Sequence, residues 1–343
     1  MSRWRKAFTW RRASVVLLVF VCVVLTVVGA AGIVLRLEYA GEPAADARTS
    51  GRDAVWLGHA WVDGRKTDDD VAALATLLRG TGIKDLFVHT GPLAHDGSLP
   101  AELSPRAEWF VDAAHRMLPG ARVQSWLGDL AAPEFDGLQV DRPEVRTRIA
   151  ASAQQALKLG FDGIHLDIEP VRSGSRGFLA LLDQVHAVTA DRKVVLSVSA
   201  PQIDPLPGLH AVGIAVADHG KWWAQAYFAD VARRVDQVAL MSYDTSMPMV
   251  SLYGGYVAQQ TELALQVTPT AVDLLMGLPA FWADDLGHHG SAETVAGAIR
   301  GVRMGLGRTA PGRQAFGVAL YVDFAATQQD WASYRRDWCG LES

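Results

Sequence analysis

The sequence predicts an α/β fold, a (β/α)8 TIM barrel preceded by one N-terminal transmembrane helix, on three observations. Residues 13–35 carry no charged side chain, a run long enough to cross ~30 Å of hydrocarbon as a helix. From residue 53 onward, short apolar, β-branched runs alternate with helix-patterned stretches, the arrangement of a parallel sheet with right-handed crossovers. Eight such runs follow one another, and the 343 residues exceed the roughly 250 that a closed barrel needs.

The amino-terminal run is flanked asymmetrically. Arg3, Arg5, Lys6, Arg11 and Arg12 precede it, whereas Arg36, Glu38, Glu42 and Asp46 follow it. The excess of basic residues before the run puts the amino terminus in the cytoplasm and the rest of the chain outside. A cleaved signal peptide is the competing reading and would give a secreted domain. Its apolar region usually spans only ~7–15 residues, and the nearest small-x-small site, Ala45-Asp46-Ala47, is distant. The expected organisation is a cytoplasmic basic tail (1–12), a single-pass anchor (13–35), a polar linker (36–53) and an extracytoplasmic barrel (54–343) at the cell membrane.

Bulk properties exclude several classes. The net charge is −5 and no basic patch occurs, which argues against a nucleic-acid partner. The two cysteines, Cys22 inside the apolar run and Cys339 near the end, form no disulfide framework, and a core of this size needs none. No Cys/His cluster has zinc spacing. His288-His289 lies in a Gly/Asp-rich stretch and reads as a solvated loop, so neither metal nor cofactor is expected.

The strand signals cover 54–59, 86–90, 122–127, 163–169, 194–200, 237–243, 273–278 and 317–322, with helix-like segments such as 68–78, 143–159, 177–189, 222–235 and 292–304 between them. Asp68, Asp69 and Asp70 suit a helix amino terminus and Pro143 a first turn. No G-x-G-x-x-G follows the first strand, which weakens an open dinucleotide-binding sheet. In a barrel, the active site lies at the carboxyl ends of the strands. Groups able to bind sugar collect there: His59 and Trp61, His89, Trp126 and Asp129, Tyr243 and Asp244, Phe281 and Trp282, Tyr321 and Asp323. Any one of these aromatics could be ordinary packing; their shared position is the informative feature.

The fourth strand carries most of the argument. In Phe161-Asp162-Gly163-Ile164-His165-Leu166-Asp167-Ile168-Glu169, strand alternation puts Ile164, Leu166 and Ile168 on one face. His165, Asp167 and Glu169 then share the other, pointing into the barrel. Strands buried on both faces normally read as continuous apolar runs, and three ionisable groups there are costly unless paired. A structural ion-pair network is the bland reading; a functional site is the sharper one.

This segment resembles the D-x-x-D-x-D-x-E signature of glycoside hydrolase family 18, the chitinases and related endo-N-acetylglucosaminidases. Asp162, Asp167 and Glu169 match it, with His165 where the family has Asp. The family's M-x-Y-D motif is present as Met241-Ser242-Tyr243-Asp244, and weaker echoes lie at Ser125-Trp126-Leu127-Gly128 and at Tyr321. The resemblance covers roughly residues 53–335. It implies a glycosidase that cleaves N-acetylglucosamine-containing polysaccharide or glycan with retention, the substrate's own acetamido oxygen acting as nucleophile. Glu169 would be the acid, Asp167 would hold the acetamido nitrogen and Tyr243 its oxygen. Asp244, His165, Trp126, Tyr321, Trp282 and His59 would contact the sugars. His165 leaves two options: protonated, it would hold Asp167 as an anion; neutral, it could donate a hydrogen bond. A non-catalytic carbohydrate-binding barrel and a hydrolase for another cell-surface polysaccharide are the alternatives; the presence of Glu169 argues against the former.

Overall fold

The computed structural model describes residues 2–131, 137–211 and 220–341, with side chains from residue 14 onward. The expected basic tail (1–12) therefore lies outside the described side chains. Eight parallel strands close into a barrel: β1 (Asp53–Leu57), β2 (Ile83–Pro92), β3 (Arg122–Leu130), β4 (Gly163–Glu169), β5 (Val195–Ala200), β6 (Gln237–Leu240), β7 (Asp273–Pro279) and β8 (Phe316–Tyr321). Each strand pairs with its sequence neighbours, and β1 closes the ring on β8 through Ala54↔Ala319 and Val55↔Leu320. Closure excludes the open sheet.

Helices α1 (Ser2–Tyr39), α2 (Asp68–Leu78), α3 (Ala107–Met117), α4 (Pro143–Lys158), α5 (Arg176–Arg192), α6 (Gln225–Ala232), α7 (Val250–Val267), α8 (Val295–Thr309) and α9 (Gln328–Ser333) accompany the strands. The local signals are used as expected. Thr67 and Asp70 form a capping box at α2, and Pro143 opens α4. One expected helix start fails: Trp222–Trp223 pairs as a short parallel ribbon with Gln202–Ile203, and α6 begins only at Gln225. The Trp223 indole N–H donates to the Val171 carbonyl at 2.7 Å, a bond that ties this ribbon to the loop after β4.

Strand alternation places two different cores. The outward faces of the strands, including Ile164, Leu166 and Ile168, join the large apolar cluster beneath the helices. Inside the barrel lies a smaller cluster of Ala54, Trp56, Phe87, Trp126, Ala239, Leu275, Ala319 and Val322. The lower end is polar and hydrogen-bonded, with Gln124 Oε1 left without a partner. Arg122 binds Asp85 at 2.7 and 2.6 Å, and Gln124 and Gln237 donate to the same carboxylate at 2.9 and 3.0 Å. These bonds to the Asp85 carboxylate offset the cost of burying its charge.

Within α1, the stretch Ser14–Tyr39 is long and apolar enough to cross a membrane, with a mean hydropathy of 2.9 in its most apolar window and none of that window buried. The linker expected over 36–53 runs against the helices of the barrel. Leu35 and Ala47 are buried, Arg303 donates to the Ala44 and Ala47 carbonyls at 3.2 and 2.8 Å, and Arg308 pairs with Glu38. The groove that holds it is made by glycines on other helices.

Candidate active site

Register brings the inward row of β4 against its neighbours. His165 lies level with Trp126 on β3 and Ser197 on β5, and Asp167 lies level with Gly128. His165 is fully buried. Phe87 stacks on its ring at 3.9 Å with an interplanar angle of 7°. The Trp56 indole N–H donates to His165 Nε2 at 3.0 Å, and His165 Nδ1 meets Ser197 Oγ at 2.8 Å. An indole N–H can only donate, so Nε2 is the acceptor and Nδ1 carries the proton. Burial drives the His165 pKa down to about 3. The imidazole is therefore neutral, which decides between the two options the sequence leaves open. It also corrects the expectation that His165 touches substrate: no surface of it is accessible.

Asp167 sits one layer above. Its Oδ2 accepts from the Trp126 indole at 2.9 Å, while Oδ1 is buried without a protein partner. Burial raises the Asp167 pKa to about 6, against the opposing hydrogen bonds of Ser199 and Trp126. Trp126, expected as a sugar contact, is thus chiefly a donor that fixes this carboxylate. Glu169 ends the strand at the barrel mouth, where the residue keeps exposed surface while the surrounding protein partly desolvates its carboxyl. That desolvation, then the Asp167 and Asp244 carboxylates, pushes its pKa up to about 8.

On the opposite wall, Tyr243 stacks on Tyr321 at 5.4 Å and meets Phe281 edge-on at 5.8 Å. The strand expected to run to residue 243 ends at Leu240, and the chain then turns outward, with Asp244 in the left-handed region at φ 55. Gly277 makes room for this wall. A Cβ there would lie 2.9 Å from both Tyr243 Cε1 and the Leu240 carbonyl oxygen. Tyr321 is half-buried and also meets Trp56 and Trp126 edge-on, at 5.6 and 6.3 Å. His59 donates Nδ1–H to the His89 carbonyl at 3.0 Å, and His89 packs against Trp126 at 4.7 Å. Trp282 is 71% exposed and stands on the rim, away from this cluster.

Three of the groups noted at strand ends are committed to the protein. Asp323 accepts from the Gly58 N–H and the Trp61 indole, both at 2.7 Å, and Asp129 binds His95 at 3.0 Å. Trp61 itself is buried. Asp162, the first match of the signature, lies at the base of β4, where it accepts from the Val123 N–H and from His115 Nε2 at 2.8 Å each.

His288 is a correction. It is buried, not solvated, and its Nδ1 lies 2.9 Å from Asp244 Oδ1 and 3.5 Å from Glu293 Oε2. Glu293, also buried, accepts from the Thr245 N–H and hydroxyl, each at 3.0 Å. Asp244, His288 and Glu293 bring one ligand atom each within 4.8 Å of one another, so they could share a proton or hold a cation. The Gly/Asp-rich context hid this, because burial of His288 depends on the loop folding back under Phe281 (rings 4.5 Å apart). Trp56 and Ser199 also escaped notice, although alternation along β1 and β5 could have identified both as inward-facing.

No protein-family model matches the chain, and no curated protein matches it. Solved structures do. The spore cortex-lytic enzyme SleL of Bacillus megaterium QM B1551 is 14% identical, with a TM-score of 0.58 over 85% of this chain and 75% of that one. A class V chitinase from Pseudomonas fluorescens Pf-5 is 13% identical, with a TM-score of 0.56 over 83% of this chain and 98% of its own. A glycoside hydrolase family 18 N-acetylglucosaminidase from Paenibacillus barengoltzii is 12% identical, with a TM-score of 0.54 over 83% and 99%. At these identities the likeness establishes the barrel fold.

Proposed function

We propose that this protein is a membrane-anchored glycosidase of the family 18 kind, cleaving glycans that contain N-acetylglucosamine with retention at the anomeric carbon. One observation carries the reading: Glu169 stands at the tip of β4, two residues beyond Asp167 on the same inward row, and desolvation together with the Asp167 and Asp244 carboxylates raises its pKa, the direction a general acid requires. The similar structures, a cortex-lytic enzyme, a chitinase and an N-acetylglucosaminidase, support the substrate class.

In this mechanism Glu169 gives its proton to the leaving glycosidic oxygen as the bond to the anomeric carbon breaks. The substrate's acetamido oxygen attacks that carbon and closes a five-membered oxazolinium ring. Asp167 accepts the acetamido N–H and balances the ring's positive charge, and the Tyr243 hydroxyl meets the acetamido oxygen. The Glu169 carboxylate then takes a proton from water, which opens the ring and leaves the configuration retained. Because His165 is neutral and its Nε2 is occupied, Asp167 has no carboxylate beneath it with which to share a proton. It serves as a fixed anion oriented by Trp126 and Ser199.

Packing of Leu35, Ala44 and Ala47 against the barrel favours an uncleaved anchor, since cleavage after Ala47 would strip away part of the core. The test is hydrolysis of defined β-1,4 N-acetylglucosamine oligosaccharides, followed by rapid NMR of the product anomer. Retained product, inhibition by a thiazoline mimic and no turnover of the de-N-acetylated oligosaccharide are expected. An inverted product, or efficient cleavage of sugars without the acetamido group, rejects the mechanism.

A further inference from the structure

We infer that the barrel mouth faces the bilayer that α1 crosses, and that its substrate is a glycan carried on a lipid in that bilayer; the glycan part rests on the hydrolase reading above. Two independent observations lead there. The first is the path of the chain. Helices α7 and α8 both run from the mouth of the barrel to its base, because each follows a strand and leads to the next. Along them, α1 and its continuation descend in the same direction. Gly32 lies beside Leu252, and Arg36 reaches Met249 Sδ at 3.4 Å, both at the mouth. Further down, Gly41 lies beside Met304 and Ala44 beside Gly307, near the base where β1 begins. The apolar residues before Gly32 therefore project beyond the mouth, by roughly 27 Å for residues 14–31 at 1.5 Å per residue.

The seating is close. A Cβ on Gly255 would lie 1.8 Å from the Leu35 carbonyl oxygen, and one on Gly254 2.2 Å from the Tyr39 ring. The Arg300 guanidinium covers that ring at 4.9 Å, and Arg308 pairs with both Glu38 and Glu262. An anchor held at such contacts transmits its orientation to the barrel, whereas a flexible tether would not.

The second observation is the rim. Outside α1, the large apolar side chains that stand open to solvent among the described residues lie on the mouth side, with Leu77 the single exception. Leu130 is at the end of β3, Leu206 follows β5, Met249 precedes α7, Trp282 and Leu286 follow β7, and Phe324 follows β8. Leu286 is 96% and Phe324 75% exposed. Single exposed apolar residues are ordinary on a protein surface; a set concentrated at the end from which the anchor emerges is not. Tryptophan, phenylalanine and leucine are the side chains that settle at a membrane interface. With the rim at the headgroups, a free polymer would have to thread between protein and bilayer. A sugar chain rising from a lipid instead enters the mouth directly.

The test uses the full chain in nanodiscs. Lipids brominated near the headgroup quench nearby tryptophans, and the quenched fraction is compared between the wild type and Trp282→Phe. Initial rates are measured on an N-acetylglucosamine tetramer coupled through its reducing end to phosphatidylethanolamine, and on the same tetramer free in solution. Expected are a smaller quenched fraction in Trp282→Phe, a rate at least tenfold higher on the lipid-coupled tetramer, and loss of that preference in Gly255→Leu with the rate on the free tetramer unchanged. Equal quenching in both proteins overturns the orientation. Equal rates on both tetramers, with Trp282 quenched, overturn the lipid-carried substrate. Hydrolysis of neither, with Trp282 quenched, overturns the hydrolase reading and the substrate with it, while the orientation stands.

Discussion

The Trp56 indole N–H donates to Nε2 of His165 at 3.0 Å, and because an indole can only donate, that bond makes Nε2 an acceptor. With Nε2 accepting and Nδ1 donating to Ser197, a second proton on the imidazole would have to displace the indole in a fully buried place. The nitrogen-15 NMR signals of His165 should show the neutral Nδ1–H form from pH 8 down to pH 4. A titration midpoint near 6 would mean that the Trp56 bond does not form.

Asp167 and Glu169 set the pH dependence. The proposed reaction needs Asp167 ionised and Glu169 protonated, and burial pushes their pKa values up to about 6 and about 8. Since the two interact, their titrations belong to the pair. The profile of kcat/KM should be bell-shaped, rising through about pH 6 and falling through about pH 8. Full activity maintained at pH 10 would exclude Glu169 as the acid.

Glu169→Gln is nearly isosteric and removes the proton donor. Turnover of a substrate with a poor leaving group should fall by ~10²–10⁴-fold. The same variant tests the environment of the carboxyl. Its folded pKa lies above the ordinary value of 4.5, so its favourable contribution is complete below that value and is lost as pH rises through about 8. The variant's melting temperature should therefore match the wild type near pH 4 and exceed it at pH 9, which differential scanning calorimetry can follow. A variant less stable than wild type at pH 9 contradicts the desolvated site.

His288 holds Asp244 at 2.9 Å from beneath, so His288→Ala should leave Asp244 free to reorient toward solvent. If Asp244 contacts the sugar, as proposed, rather than donating the proton, KM should rise several-fold while kcat changes less. A drop in kcat alone, at constant KM, would place His288 in the chemistry instead. Substitution by Gln, which keeps a donor, should recover part of the loss.

Much of the fold was legible because it rests on local periodicity. Eight apolar runs, the inward row of His165, Asp167 and Glu169, the apolar length of 13–35 and the Met241–Asp244 motif are patterns of neighbouring residues, and alternation alone assigns their faces. What the sequence by itself determined is therefore the barrel, its charged fourth strand and the direction of its mouth. Tertiary structure decided the rest, because each remaining feature depends on residues far apart in the chain. His165 is neutral because Trp56, 109 positions away, supplies a donor. His288 is buried because its loop folds back onto Asp244, and the polar segment 36–53 is packed because glycines on α7 and α8 leave a groove for it. Composition cannot report such contacts: they arise only when closure of the barrel sets distant backbones within a few ångströms of one another.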